Sequence, residues 1–130
     1  FLTDPDTALA AAILFDQVPR NIYRGHADAF ATDSLARAIA RGIVANGWDQ
    51  AWPDDRRQFA YLPFEHSEDI ADQRESLRLM NQLADPVFHD YAQKHFDIIE
   101  RFGRFPHRNA ALGRTTRPDE EAAIEEGKHW

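Results

Sequence analysis

The chain has no cysteine and a single methionine among its 130 residues. Without cysteine there is no disulfide, no thiolate nucleophile and no cysteine-ligated zinc, a composition that fits a reducing cytoplasm, where the protein is expected. Long apolar runs are also lacking. The longest, ALAAAILF at 8–15, is far shorter than the roughly 18 residues of a membrane span and ends in Asp16 and Gln17, so it reads as a buried helix. No membrane partner is expected. No basic start precedes an apolar region, so no signal peptide is expected either, and the opening Phe1 in place of a methionine suggests that a natural start was removed. Segments alternating with the period of a strand are missing, as are Gly-rich phosphate loops, a GxSxG elbow and HExxH spacing.

Positive charge is scarce overall, with 15 Lys and Arg against 22 Asp and Glu and a net charge of −7. Such a body repels nucleic acid at long range, so no nucleic-acid partner is expected. Within it, RFGRFPHRNAALGR at 101–114 holds Arg101, Arg104, Arg108 and Arg114 with one histidine and no acid. Guanidinium forks suit carboxylates and phosphates. These arginines either converge on a small anion or tether a loop by pairing with acids such as Asp16, Glu68, Asp69 and Asp97.

What remains is punctuated into helices. Asp4-Pro5 opens the first, with Leu9, Ala12 and Ile13 at helical spacing and Pro19 as its stop. A second is expected over 27–45 with a buried stripe of Leu35, Ala38, Ile39, Gly42 and Ile43, Arg37 and Arg41 facing away, and Asn46-Gly47 at its end. Asp54 or Asp55 caps a third that bends or ends at Pro63; Ser67 caps a fourth carrying Ile70, Leu77, Met80 and Leu83. Asp85-Pro86 opens a fifth with Phe88, Tyr91, Ala92, His95, Ile98, Ile99 and Phe102 on one face and Gly103 at its end. Thr116 caps a last helix rich in acids at its start. The expectation is an all-α single domain over residues 1–130, with about six antiparallel helices. DQVPRN and GRFPHRN form a weak echo, Pro then Arg-Asn after an apolar helix.

Three roles are open to the polar motifs. In a binding module, Arg20, Arg24, Arg104 and Arg108 converge on a carboxylate or phosphate of a small ligand or acidic peptide. In a small hydrolase-like enzyme, His66 or His107 is the acid–base group and Glu68 or Asp69 orients it. In a structural brace, the loop after the first helix is tied to that after the fifth. His66, Glu68, Asp69, His95 and His107 suit a metal by type, yet no ligand spacing joins them, so no metal and no cofactor are expected. His95, on an apolar stripe, reads as a core histidine satisfied by a neighbour.

ILFDQVPRNIYRG, HADAFATDSLA, FAYLPFEHSED, KHFDIIERFGRFPHRNAALGR and TRPDEEAAI together resemble domain-of-unknown-function family 924, over nearly all of the chain. The resemblance implies a bacterial protein with a tetratricopeptide-like right-handed array of helices, an α-α superhelix. It also implies that fuller members carry helices before the first one here, whose lack would leave that helix partly exposed or paired with a second copy in a homodimer. It carries no activity. On the family motifs and the charge pattern together, the expected ligand-binding residues are Arg20, Asn21, Arg24, His66, Glu68, Asp69, Arg104, His107, Arg108 and Asn109.

Overall fold

Local chemistry sets several helix starts in the computed structural model, which describes residues 2–128 and Trp130. Asp4 accepts the Thr7 amide at 2.9 Å and Pro5 takes the first turn of α1 (Pro5–Ile22). The helix does not stop at Pro19. Proline has no N–H to give the carbonyl of Phe15, but the Thr32 hydroxyl donates to that oxygen at 2.7 Å, and α1 runs on for three more residues.

The expected second helix is split. A 3-10 turn, Ala27–Phe30, precedes α2 (Asp33–Ala45), and the buried face of α2 is Asp33, Ala36, Ile39, Ala40 and Ile43. Leu35 and Ala38 point to solvent instead. The rotation follows from Asp33, whose carboxylate is held inward by both arms of the Arg20 guanidinium at 2.8 and 2.9 Å. Small Ala40 of α2 shares the main core with Ala8 and Ala12 of α1. Arg37 and Arg41 are not simply solvated, since they reach Asp72 at 3.6 and 2.7 Å.

A 3-10 turn, Trp48–Ala51, follows Gly47, whose φ of 69° suits glycine, and leads to α3 (Asp54–Glu65). Neither Asp54 nor Asp55 caps α3; Asp54 accepts the Ala84 amide at 2.9 Å from across the bundle. Pro63 lies inside α3, which ends two residues later at Glu65 with His66 as its cap. Asp69, not Ser67, caps α4 (Ile70–Met80), while Ser67 donates to Asp72 at 2.7 Å. Gln73 gives its amide to the carbonyls of Glu65 and Ser67, both at 2.7 Å, and so fastens the α3–α4 corner. In α5 (Pro86–Phe102), Asp85 caps and Gly103 terminates at φ 75°, as the sequence indicates, although Tyr91 is exposed. The 3-10 turns Pro106–Arg108 and Pro118–Glu120 lead into α6 (Glu121–Gly127); Arg117 stands at the entry of the second turn and Glu120, not Thr116, at that of α6.

Among the described residues there are six α-helices and no strand. Successive helices pack on one another: α1 on α2, both on α3, α3 on α4 and α4 on α5, with α6 against the Pro106–Arg108 turn. The main core joins Leu9, Ile43, Tyr61, Phe64 and Leu79, and a smaller one joins Ile98, Ile99, Phe102, Phe105 and Ala123. On the outside of α1, Leu14, Val18 and Ile22 are exposed at four-residue intervals. No helix is long and apolar enough to cross a membrane among the described residues.

The C-terminal part hangs on Glu120, which is fully buried and takes Arg104 at 2.8 and 2.9 Å, the Arg117 amide at 2.8 Å and the Asn109 amide at 3.3 Å. The Arg104 bonds hold its carboxyl well below the ordinary 4.5. A depressed carboxyl adds stability that is complete above its unfolded value and lost as pH falls below it. The excess stability of wild type over Glu120→Gln is therefore expected to be full near neutral pH and to shrink below pH 4.5, as urea melts across pH will read. Gly127 lies directly over the His107 ring, where a Cβ has no room. Gly127→Ala is expected to cost about 1–3 kcal/mol of overpacking, measured as a lowered denaturant midpoint.

Candidate functional site

The end of α1, the start of α2, the α3–α4 corner and the turn after α5 meet around one buried acid pair. Asp16, 1% exposed, lies on the inner face of α1. It receives His66 Nδ1 at 2.8 Å, Arg20 at 3.2 Å and the Gln17 amide at 2.6 Å. Burial opposes its charge, but the His66 contact and Arg20 outweigh that and hold it below the usual range. Burial also depresses His66, against the pull of Asp16, so the imidazole is neutral with its proton on Nδ1 facing the carboxylate.

Asp33 is the second acid. Arg20 grips it bidentately, and Arg108 Nη1 stands 4.0 Å from it. Arg108, 7% exposed, lies between the Phe30 and Phe105 rings with its guanidinium carbon 4.5 and 4.6 Å from their centres, and donates to the His66 carbonyl at 2.8 Å. Burial, then Arg20 nearby, lowers Arg108 to about 10, so it stays charged at neutral pH. The two arginines of the DQVPRN and GRFPHRN echo thus flank the same aspartate and the same phenylalanine.

Two clefts open beside this cluster. One, about 400 Å³, is lined by Arg20, Asn21, Arg24 and Arg108, with Phe30, His107 and Ala111, and by no acidic residue. The other, about 380 Å³, is mainly apolar, with Met80, Val87, Phe88 and Tyr91, and includes Glu65. Leu62, His66, His95 and Trp130 line both and form the partition between them. His95 stacks on Trp130 at 3.8 Å and meets the Tyr91 carbonyl through Nδ1 at 2.8 Å. Burial takes His95 down to about 3, and burial with Arg108 takes His107 to about 4; both rings are neutral. Glu65, 3% exposed, is pushed up to about 8 by burial and then by Asp16.

Of the expected ligand-binding residues, Arg20, Asn21, Arg24, His66, His107 and Arg108 share the first cleft. Glu68 and Asp69 do not. They line a shallower depression behind His66 and Arg108, where Asp69 caps α4 and Glu68 takes Arg114 at 2.9 Å and the Phe105 amide at 2.5 Å. Arg104 and Asn109 are elsewhere, spent on Glu120. The convergence of four arginines is therefore a convergence of three, and Arg104 braces the C-terminal turn instead. The partner of His66 is Asp16, not Glu68 or Asp69, and His107 Nδ1 has no hydrogen-bond partner. Of the other acids proposed as partners, Asp97 accepts from Gln93.

Glu65, Asp16, Asp33 and Trp130 were not among the expected site residues, and His95 was read as core. Asp16 had a signal, since it breaks a long apolar run on the face that Ala8, Leu9 and Ala12 occupy. Nothing in the sequence marks Glu65 apart from its place beside His66. Asp33→Ala, which strips the common partner from two enclosed arginines, is expected to cost about 3–5 kcal/mol, read by thermal unfolding.

A family model described as "Bacterial protein of unknown function (DUF924)" matches residues 1–128. A solved structure of a protein of unknown function from Agrobacterium tumefaciens is 48% identical and superposes with a TM-score of 0.91, covering 97% of this chain and 71% of that one. Among curated proteins nothing matches.

Proposed function

The chain belongs to the bacterial family of unknown function DUF924, and within it we propose that this protein is a binding module whose arginine-lined cleft receives a small anionic molecule. In this reading the helices serve as a tetratricopeptide-like scaffold, and the ligand carries a carboxylate or phosphate at one end and an apolar portion at the other. One observation carries it: the cleft is lined by three arginines, three histidines and aromatic rings, with no acid on its surface. Arg20 and Arg108 are fixed from behind by Asp33, whereas Arg24 has only the Asn21 side chain at 3.1 Å among its described polar contacts. A preset pair of guanidinium groups with one exposed arginine beside them suits capture of an anion from solvent.

Titration with a panel of inorganic phosphate, small mono- and dicarboxylates and phosphate monoesters, followed by calorimetry at low salt, tests the reading. Binding is expected to weaken as salt rises. Arg24→Ala is expected to weaken it by about tenfold or more, the worth of one charge-assisted bond, with little change in melting temperature. Silence across the panel at low salt sinks the proposal.

A second reading has its own support in the 2.8 Å contact between His66 and Asp16 at the cleft wall. A neutral histidine oriented by a carboxylate has the makings of a general base for hydrolysis. Turnover of an ester or phosphoester panel that vanishes in His66→Gln would favour it.

A further inference from the structure

We propose that Glu65, His66 and His95 bind one divalent transition-metal ion, zinc by preference, in the partition between the two clefts. Their candidate ligand atoms all lie within 4.8 Å of one another. Two imidazoles and one carboxylate are a donor set of zinc, which three such protein ligands hold with a fourth position left for water or a ligand. A tetrahedral zinc with ligand bonds of about 2.0–2.1 Å sets its ligands roughly 3.3 Å apart, so the site closes by side-chain adjustment of about an ångström.

Three further features separate this cluster from a chance meeting of polar residues. Glu65 is 3% exposed, and among the described residues its Oε1 has no hydrogen-bond partner. A structural carboxyl so placed is normally hydrogen-bonded. Secondly, each histidine is fixed through Nδ1 to an oxygen acceptor, His66 to the Asp16 carboxylate and His95 to the Tyr91 carbonyl, both at 2.8 Å. An oxygen acceptor requires the proton on Nδ1, which leaves the lone pair on Nε2 in both rings; because Glu65 Oε2 stands 3.9 Å from His95 Nδ1, ligation by His95 requires its ring to turn so that Nε2 faces the carboxylate. This is the outer-shell arrangement that orients metal-binding histidines. Thirdly, both rings border open space on either side, so an ion has a way in and room for an exchangeable ligand.

This inference stands apart from anion capture by the arginines. It does exclude the general-base reading of His66, because a metal occupies the Nε2 lone pair which that chemistry uses.

The test is titration of chelator-treated protein with Zn²⁺ and Co²⁺ alone. One equivalent is expected to bind, with the visible absorption of four-coordinate cobalt and a higher melting temperature in the presence of zinc. Glu65→Gln, nearly isosteric, and His95→Gln are each expected to weaken binding by more than about 100-fold. Asp16→Asn alters the orienting partner of His66 and the charge beside Glu65, and is expected to cost about 10–100-fold. His26→Ala, at an exposed turn away from the site, leaves affinity unchanged. Circular dichroism confirms folding of each variant; should one of the Gln variants fail to fold, the other carries the comparison. Absence of stoichiometric binding in wild type overturns the proposal. So does equal affinity in wild type and a folded Glu65→Gln or His95→Gln, which assigns the ion to surface groups.

Discussion

A single buried aspartate organises the polar heart of this protein. Asp33 opens α2 facing inward, and in that position it receives Arg20 from α1 and stands close to Arg108 from the turn after α5. A carboxylate taken out of water is tolerated only when its partners accompany it, and here those partners come from both ends of the chain. The contact fixes the rotation of α2 and brings α1 alongside it. It also holds the Pro106–Arg108 turn against Phe30. Because Arg108 in turn holds the carbonyl of His66, the α3–α4 corner is tied to the same point.

The arginine-rich segment that stands out in an acidic chain is thus mostly a set of clamps directed at different acids. Arg104 goes to Glu120, Arg114 to Glu68, and Arg108 to His66 and Asp33. Each pair crosses a long stretch of sequence, and together they replace part of the apolar packing that a small domain needs. The segment after α5 contains only short turns and α6, and it is fastened by ions as much as by its cluster of Ile98, Ile99, Phe102, Phe105 and Ala123. Ionic clamps of this kind are geometrically exacting. Arg20 and Arg108 border the cleft while held by Asp33 behind them, and Arg24 lines the same cleft with no such clamp.

The cleft wall combines two kinds of polar group with different histories. Arg20 is paired with Asp33 from behind, Arg108 is held beside the same acid with its Nε unpaired, and both present fixed charge. Glu65, His66 and His95 are neutral by burial, and their ligand atoms gather without mutual hydrogen bonds, at the point where α3 ends against α5. Orphaned polar atoms such as Glu65 Oε1 and Arg108 Nε cost stability. Asp49 Oδ1, Gln73 Oε1, Ser76 Oγ and His107 Nδ1 are orphaned as well, and of these six atoms only Glu65 Oε1 belongs to the cluster at the partition.

Helix class, order and several caps follow from the sequence alone, because Asp4, Asp85, Gly47 and Gly103 act through neighbours within a few residues. The family resemblance was legible for the same reason, as runs of contiguous residues. Tertiary structure decided whatever depends on a distant partner. Pro19 does not end α1 since Thr32 reaches the Phe15 carbonyl, and α2 turns by about one residue since Arg20 draws Asp33 inward. The placing of Arg20, His66 and Arg108 in one cleft rests on contacts between residues up to tens of positions apart, and the removal of Arg104 and Asn109 from it on their pairing with Glu120, 16 and 11 residues on. The meeting of Glu65 with His95 also joins residues tens of positions apart. Spacing along a chain encodes which face of a helix a residue occupies, but which faces meet is set by packing and by the need of each buried charge for a partner.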